Sequence, residues 1–317
     1  MINCSFLPVF YQHHLHRKER KPAPEFDNYS TVEDIWMNLY GLGKFETYQF
    51  VYEKCTSEAH LQEWLIQLKG AAQITASAKA FEDWLQGADN KADNNHSASA
   101  LLTEAQHQSW QKQGYLKISD LVAQELCDAV AELICDTMEV DLSRPETWYN
   151  PHAGWHGLML QLYQHESIQA IRTHPAVKQV FAELYGTTHL IARTEKVSFN
   201  PPETDTWKFA HGKLHWDIDF NTGELFYIQG LIYLNDVPEN RGPLQLVPGF
   251  QHRFEDFMKT WPDFQRAHEE MQRLVNPVPV PGKKGDIVLW QQTLPHAASA
   301  NHSTVPRFVQ YLSFSKL

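Results

Sequence analysis

Cysteine is scarce in this sequence. There are four in 317 residues (Cys4, Cys55, Cys127 and Cys135), with no Cys-x-x-Cys pair. In a chain this long they form no disulfide framework. Cys127 and Cys135, eight apart in a stretch of helical character, read as buried reduced thiols, and a reducing, cytoplasmic compartment is expected. Long apolar runs are missing too: nothing approaches the ~20 residues of a membrane-spanning helix. Residues 4–11 are apolar, but the basic, His-rich residues 13–21 follow them, the reverse of signal-peptide order. A soluble protein without a membrane partner is therefore expected. Positive charge is in deficit, 27 Lys and Arg against 38 Asp and Glu, for a formal net charge of -11. Such a chain has no basic footprint for nucleic acid. It also shows no internal repeat.

What is present is enough apolar and aromatic material, 43% and 12%, for a large core, with one large domain and a smaller piece. Residues 1–28 are expected to be an irregular arm, broken by Pro22 and Pro24, with His13, His14 and His16 solvated. Residues 29–86 read as a small helical unit. Ser30 and Glu33 have capping-box spacing ahead of 31–40, residues 44–54 are rich in aromatics, and Ser57 opens 58–69. Residues 87–100, polar and rich in Asn, Asp, Ser and Ala, read as a linker.

Residues 101–317 begin with a second capping box, Thr103 and Gln106, then a helix to 113 and a short strand at 114–118. Helices are predicted near 123–136, 165–172 and 176–184. From residue 190 the pattern changes to short β-rich segments (190–199, 213–220, 225–235, 243–247, 286–290 and 307–315), interrupted by one helical insertion at about 254–274. Helices followed by many short strands predict a mainly β domain with flanking helices, an antiparallel barrel or jelly roll.

Within it, residues 214–220 (LHWDIDF) alternate. In a strand, side chains two apart share a face, so His215 and Asp217 would project together, about 7 Å apart along the strand. An imidazole and a carboxylate supply two corners of a metal site. A histidine from a distant strand would complete a two-His, one-carboxylate triad with open positions. His296, following the apolar run 286–290, is the best candidate. His-x-Asp alone is a weak signal, because a half-buried histidine beside an exposed aspartate is the ordinary reading.

The residues around it sharpen the pattern. Leu102-Thr103-Glu104-Ala105-Gln106 is followed by Gln113-Gly114-Tyr115-Leu116, then His215-Trp216-Asp217, Asn240-Arg241-Gly242-Pro243-Leu244, Val247-Pro248-Gly249, and the stretch 284–290 (KGDIVLW). His296, Asn301, Ser303, Pro306 and Arg307 close the series. In order and spacing this resembles the phytanoyl-CoA dioxygenase family of iron(II)/2-oxoglutarate oxygenases, over about two thirds of the chain.

The resemblance implies a cupin-like double-stranded β-helix, with iron(II) held by His215, Asp217 and His296 as the catalytic centre. It assigns Arg307 to the far carboxylate of 2-oxoglutarate. That role makes physical sense, since a guanidinium stays charged when buried and pairs with a carboxylate through two parallel hydrogen bonds. The chain departs from the pattern at Ala298, where some members place a hydroxyl against the cosubstrate; Lys196 or Ser198 is expected to supply that contact. Phe250-Gln251-His252 also departs, and His252 is not counted as a ligand.

The implied reaction consumes O2 and 2-oxoglutarate, hydroxylates an aliphatic C–H bond of a small molecule, and releases succinate and CO2. Asp217 points away from halogenation, because halogenating members have Gly or Ala in its place. His152, Trp155, His156 and His211 are expected near the substrate mouth. Two other readings stay open. One is a cupin-type metal oxygenase that does not use 2-oxoglutarate; the other is a catalytically silent scaffold.

Overall fold

The computed structural model describes residues 4–87, 100–210, 212–218 and 226–317. The linker expected at 87–100 therefore lies almost wholly outside the described residues. The chain divides into two compact units.

The helical unit contains α1 (Phe6–Lys18), α2 (Tyr29–Tyr40), α3 (Lys44–Gln49) continued by a π-helical turn (Phe50–Lys54), α4 (Glu58–Lys69) and α5 (Ala71–Leu85). Residues 187–194 and 315–317 belong to it as well. Asp34 explains the grouping: its carboxylate accepts from the Arg193 guanidinium and, at 2.9 Å, from the Ser315 hydroxyl. The expected irregular arm is corrected here. Phe6, Leu7, Phe10, His13 and His14 are all buried. They form one helical stripe, and Pro8 falls in the first turn, where its missing N–H costs nothing. Among the described residues of the arm, 4–5 and 19–28 lie outside the helix.

The histidines are corrected with the arm. His14 is fully buried, its Nε2 2.8 Å from Glu33 Oε1 and its Nδ1 2.8 Å from the Tyr52 hydroxyl. His13 stacks on Tyr29, ring centroids 3.6 Å apart. Nor does Glu33 complete a capping box. It accepts from the Tyr29 and Tyr48 hydroxyls at 3.0 and 2.9 Å, while α2 starts from Asn28 in a left-handed conformation. Its carboxylate is more use to a buried imidazole than to a solvated helix end.

The larger unit has helices α6 (Glu104–Gln113), α7 (Gln124–Met138), α8 (Glu166–Arg172), α9 (Pro175–Tyr185), α10 (Phe254–Thr260) and α11 (Phe264–Leu274). The capping box of α6 is present: Thr103 Oγ1 accepts from Gln106 N, and Gln106 Oε1 from Thr103 N. The single helix expected at 254–274 is two, divided at Pro262, with Asp263 capping the second.

Its strands are β1 (Tyr115–Ile118), β2 (Trp155–His156), β3 (Met159–Leu160), β5 (Val197–Asn200), β6 (Ile228–Tyr233), β7 (Leu244–Leu246), β8 (Val278–Val280), β9 (Ile287–Gln291), β10 (His296–Ala298) and β11 (Arg307–Lys316); β4 (Leu190–Ala192) lies in the helical unit. One sheet runs β1-β9-β6-β11-β5-β3-β2 and the other β10-β7-β8. The paired strands run antiparallel.

Register and alternation decide which residues face the site. On β11, Arg307 lies opposite Asn200 and Val309 opposite both Ser198 and Tyr233. On β6, Gln229 lies opposite Trp290, and Leu231 opposite Val288. These residues share one face. Leu231, Tyr233, Val288, Trp290 and Val309 join Leu244, Leu246, Val280 and Ala297 of the small sheet in a single core, so the two sheets face each other. The opposite face is covered by helices. Phe314 packs on Phe181 of α9 at 4.6 Å, and Gln310 donates to the Ile168 carbonyl of α8.

The strand expected at 213–220 is corrected. Residues 212–218 form no strand, only an isolated bridge between His215 and His296. A segment paired at one position lacks the repeated bonds of a ladder, though its alternation survives.

Candidate metal centre

Leu214 and Trp216 are buried, and they anchor the segment that carries two candidate ligands. The Trp216 ring packs against Phe250 and Phe254, and its Nε1 donates to the Thr293 carbonyl at 3.0 Å. From α11, Gln272 donates to the Leu214 carbonyl at 2.8 Å. With the even positions pinned inward, His215 and Asp217 project together on the other side.

His296 meets them there. His215 N donates to His296 O and His296 N to His215 O, both at 3.0 Å. Such a hydrogen-bonded antiparallel pair places both side chains on one face. One ligand atom from each of His215, Asp217 and His296 lies within 4.8 Å of the others, the only such group of three among the described residues. Nε2 of His215 is 3.6 Å from Asp217 Oδ1, and Nε2 of His296 is 3.4 Å from Oδ2. His296 is buried, whereas His215 and Asp217 stay open to solvent.

The outer nitrogens fix the chemistry. Nδ1 of His215 meets the Lys213 carbonyl at 2.9 Å, and Nδ1 of His296 meets the Leu294 carbonyl at 3.1 Å. A carbonyl only accepts, so each Nδ1 carries a proton, and each ring turns its Nε2 toward Asp217, as a bare lone pair wherever the ring is neutral. Two lone pairs and a carboxylate repel unless a cation lies between them. That cation is either protons on the rings or a metal ion in their place, and the donor set suits iron(II). Partial desolvation pulls the Asp217 pKa up, but hydrogen bonding and charge from His296, then His215 and Gln229, outweigh it. The carboxyl is held below the ordinary range and stays an anion.

Sequence reading missed Gln229. Its Nε2 donates to Asp217 Oδ2 at 2.8 Å, and its Oε1 accepts from Trp290 Nε1 at 3.1 Å. It lies in an apolar strand with no local motif, and only the β6–β9 register reveals it.

Arg307 is 1% exposed. Nη1 donates to the Gly242 carbonyl at 2.6 Å and Nη2 to Ser198 Oγ at 3.1 Å, while the buried Nε has no partner. Among the described residues it has no carboxylate partner. A buried guanidinium without a counter-charge is costly unless an anion joins it. Gly242 makes this corner possible. Its φ is +65°, and an added Cβ would come within 2.6 Å of Asn200 Nδ2 and 2.7 Å of the Ser299 carbonyl. Of the two residues expected beside Arg307, Ser198 is there. Lys196 shares the face by alternation, but its ammonium lies 3.6 Å from Glu195 and over the Tyr311 ring.

The expected mouth residues separate. His156 pairs with Met159, which pairs with Ser198, so it belongs to the Arg307 face. Trp155 alternates to the opposite face, where its ring packs against Phe199 and stacks on Trp207; strand alternation overrides its neighbourhood in sequence. His152 is spent on its own turn, with Nδ1 accepting from Gly154 N at 3.0 Å. His211 lies outside the described residues. His252 is distant, bonded to the Lys112 carbonyl.

Comparison with known proteins decides the family. The family model described as phytanoyl-CoA dioxygenase matches residues 110–309, a span that contains all three candidate ligands and Arg307. The chain belongs to the phytanoyl-CoA dioxygenase family. Membership carries iron(II)- and 2-oxoglutarate-dependent oxygenase chemistry. A Dictyostelium discoideum protein named "Putative phytanoyl-CoA dioxygenase" is 22% identical over 260 residues, covering 65% of this chain and 73% of its own.

Among solved structures, the non-haem α-ketoglutarate-dependent carbocyclase SnoK from nogalamycin biosynthesis aligns at a TM-score of 0.52. It is 18% identical, over 68% of this chain and 85% of that one. EctD from S. alaskensis, solved with 2-oxoglutarate and 5-hydroxyectoine, aligns at 0.51 with 16% identity, over 71% and 80%. At such identities these likenesses speak for the fold. Among the described residues, no helix is long and apolar enough to cross a membrane.

Proposed function

We propose that this oxygenase hydroxylates an aliphatic C–H bond of a small molecule, with iron(II) held by His215, Asp217 and His296 and 2-oxoglutarate held by Arg307 and Ser198. We read the two facing sheets as the double-stranded β-helix of such enzymes. The observation that carries the proposal is the convergence of two imidazole nitrogens and one carboxylate within 4.8 Å.

The residues fit the expected groups. Nε2 of His215, Nε2 of His296 and one oxygen of Asp217 would hold one face of the metal and leave the remaining positions free. Arg307, lacking a counter-charge, and the Ser198 hydroxyl suit a carboxylate reaching into the sheet. Leu231, Tyr233, Val288 and Val309 are buried on the same face of the sheet and suit an apolar, water-poor surrounding for such a carboxylate. Iron with 2-oxoglutarate supplies, when bound, the oxidising power for unactivated C–H bonds, and the cosubstrate leaves as succinate and CO2. Asp217 occupies the position that a halide would need, which favours hydroxylation over halogenation.

The Arg307 corner favours 2-oxoglutarate over a cupin-type oxygenase that lacks it, since such an enzyme would have no use for a buried unpaired guanidinium. A silent scaffold would have no use for the three converging acceptors either. The test is a succinate-release screen over small-molecule classes with mass analysis of products. Gain of one oxygen atom per succinate supports the proposal. Oxygen uptake without succinate, or a product lacking two hydrogens, contradicts it.

A further inference from the structure

We infer that Gln229, locked in place by Trp290, is the positioning residue that sets the Asp217 carboxylate for metal binding; this rests on the metal reading above. A carboxylate rotates about its last bond in a broad, shallow well. Asp217 is open to solvent, and with a metal ion on both Nε2 atoms the two imidazoles would have no hydrogen to give it. Gln229 supplies that hydrogen, its Nε2 donating to Oδ2 at 2.8 Å.

A glutamine amide could equally present its oxygen, which would repel the carboxylate. Trp290 removes the choice. Its indole N–H can only donate, and it does so to Gln229 Oε1 at 3.1 Å, leaving the NH2 end for Asp217. Trp290 is itself fixed, 2% exposed in the shared core and directly opposite Gln229 in the β6–β9 register. Its ring lies 5.2 Å from that of His296, so one side chain supports two of the three ligands.

The consequence concerns the number of open positions. Oδ2 already accepts the Gln229 hydrogen at 2.8 Å. Oδ1, 3.6 Å from His215 Nε2, would therefore be the freer oxygen, and Asp217 would hold a metal chiefly through that one atom. A free carboxylate can turn both oxygens to the ion and take a position that a chelating cosubstrate needs. Gln229 thus keeps the triad facial and open.

Calorimetric Mn(II) binding to the full chain, without cosubstrate, reads this apart from activity. Wild type should bind, and Gln229→Met should bind about 10- to 100-fold more weakly with a metal-free melting temperature near wild type. Trp290→Phe should weaken binding less, and combining it with Gln229→Met should add nothing, because both break one relay. If Gln229→Met does not fold, Trp290→Phe decides by the same measure. Gln229→Met binding within twofold of wild type, or full additivity of the two changes, overturns the role of Gln229 while leaving the metal reading intact. Absence of Mn(II) binding to wild type overturns the metal reading and this inference with it.

Discussion

His215 and His296 exchange both of their backbone hydrogen bonds, at 3.0 Å each, so the two imidazoles are brought together by main-chain pairing rather than by anything their rings do. Removing a ring should therefore spare the fold. His296→Ala should stay folded by circular dichroism, with a modest loss of melting temperature for its buried site. It should lose metal affinity by more than the roughly 100-fold that an outer partner is worth. Unchanged Mn(II) affinity would show that His296 is not a ligand.

Arg307 and Ser198 should control the cosubstrate alone. Arg307→Lys keeps the charge but loses the fork. Loss of one charge-assisted bond, about 1.5–3 kcal/mol, should raise the KM for 2-oxoglutarate ten- to a hundredfold, on the order of that energy. Ser198→Ala removes a hydroxyl bonded to the Arg307 guanidinium, a charge-assisted contact worth about 1.5–3 kcal/mol, for a rise that is likewise roughly ten- to a hundredfold. Metal affinity should change in neither. A shift in metal affinity with constant KM would exclude the assignment.

Gly242→Ala should disturb that corner from behind. Its positive φ and the close approach of Asn200 and Ser299 put the strain at about 1–3 kcal/mol, read as a lower melting temperature. Its carbonyl also holds Arg307, so the KM for 2-oxoglutarate should rise in the same variant. A stable variant with normal KM would refute the contact.

The helical unit should be acid-sensitive in two stages. Burial lowers the His13 pKa below 6.5. The unfolded chain takes up that proton first, so stability should decline as pH falls below 6.5. Burial works to raise the Glu33 pKa, but His14, Tyr48 and Tyr29 outweigh it and hold it below 4.5. Its contribution is present above 4.5 and is lost as pH falls through the lowered value. Melting temperatures across pH 3–8 should show both stages, on the order of these two ordinary values. His13→Phe, which keeps the stack on Tyr29, should remove the upper one. An upper stage that persists in His13→Phe would assign it elsewhere.

Local signals were legible in the sequence. The Thr103–Gln106 box, the Ser57 cap and the alternation of Leu214, His215, Trp216 and Asp217 all appear in the fold, because each depends on residues within four positions. His296, which the structure brings beside His215 and Asp217, was picked out from its place after an apolar run, and Arg307 from the family resemblance. What stayed hidden depends on pairing across the chain. Gln229 acquires its role only from Trp290, 61 residues away. The two-residue strands β2 and β3 are too short to show a period, so nothing in the sequence separated Trp155 from His156. The burial of His13 and His14 needed partners on α2 and the π-helical turn, and a polar, His-rich stretch hid the apolar stripe of α1.

The central claim is that His215, Asp217 and His296 hold iron(II) and Arg307 presents 2-oxoglutarate to it. Anaerobic addition of iron(II), then 2-oxoglutarate, tests it most directly through the visible charge-transfer band of the chelate. The band should appear with the native protein, vanish in His215→Ala, and require more 2-oxoglutarate in Arg307→Lys. Iron binding with no band at saturating 2-oxoglutarate, or a band that survives in His215→Ala, would contradict the account.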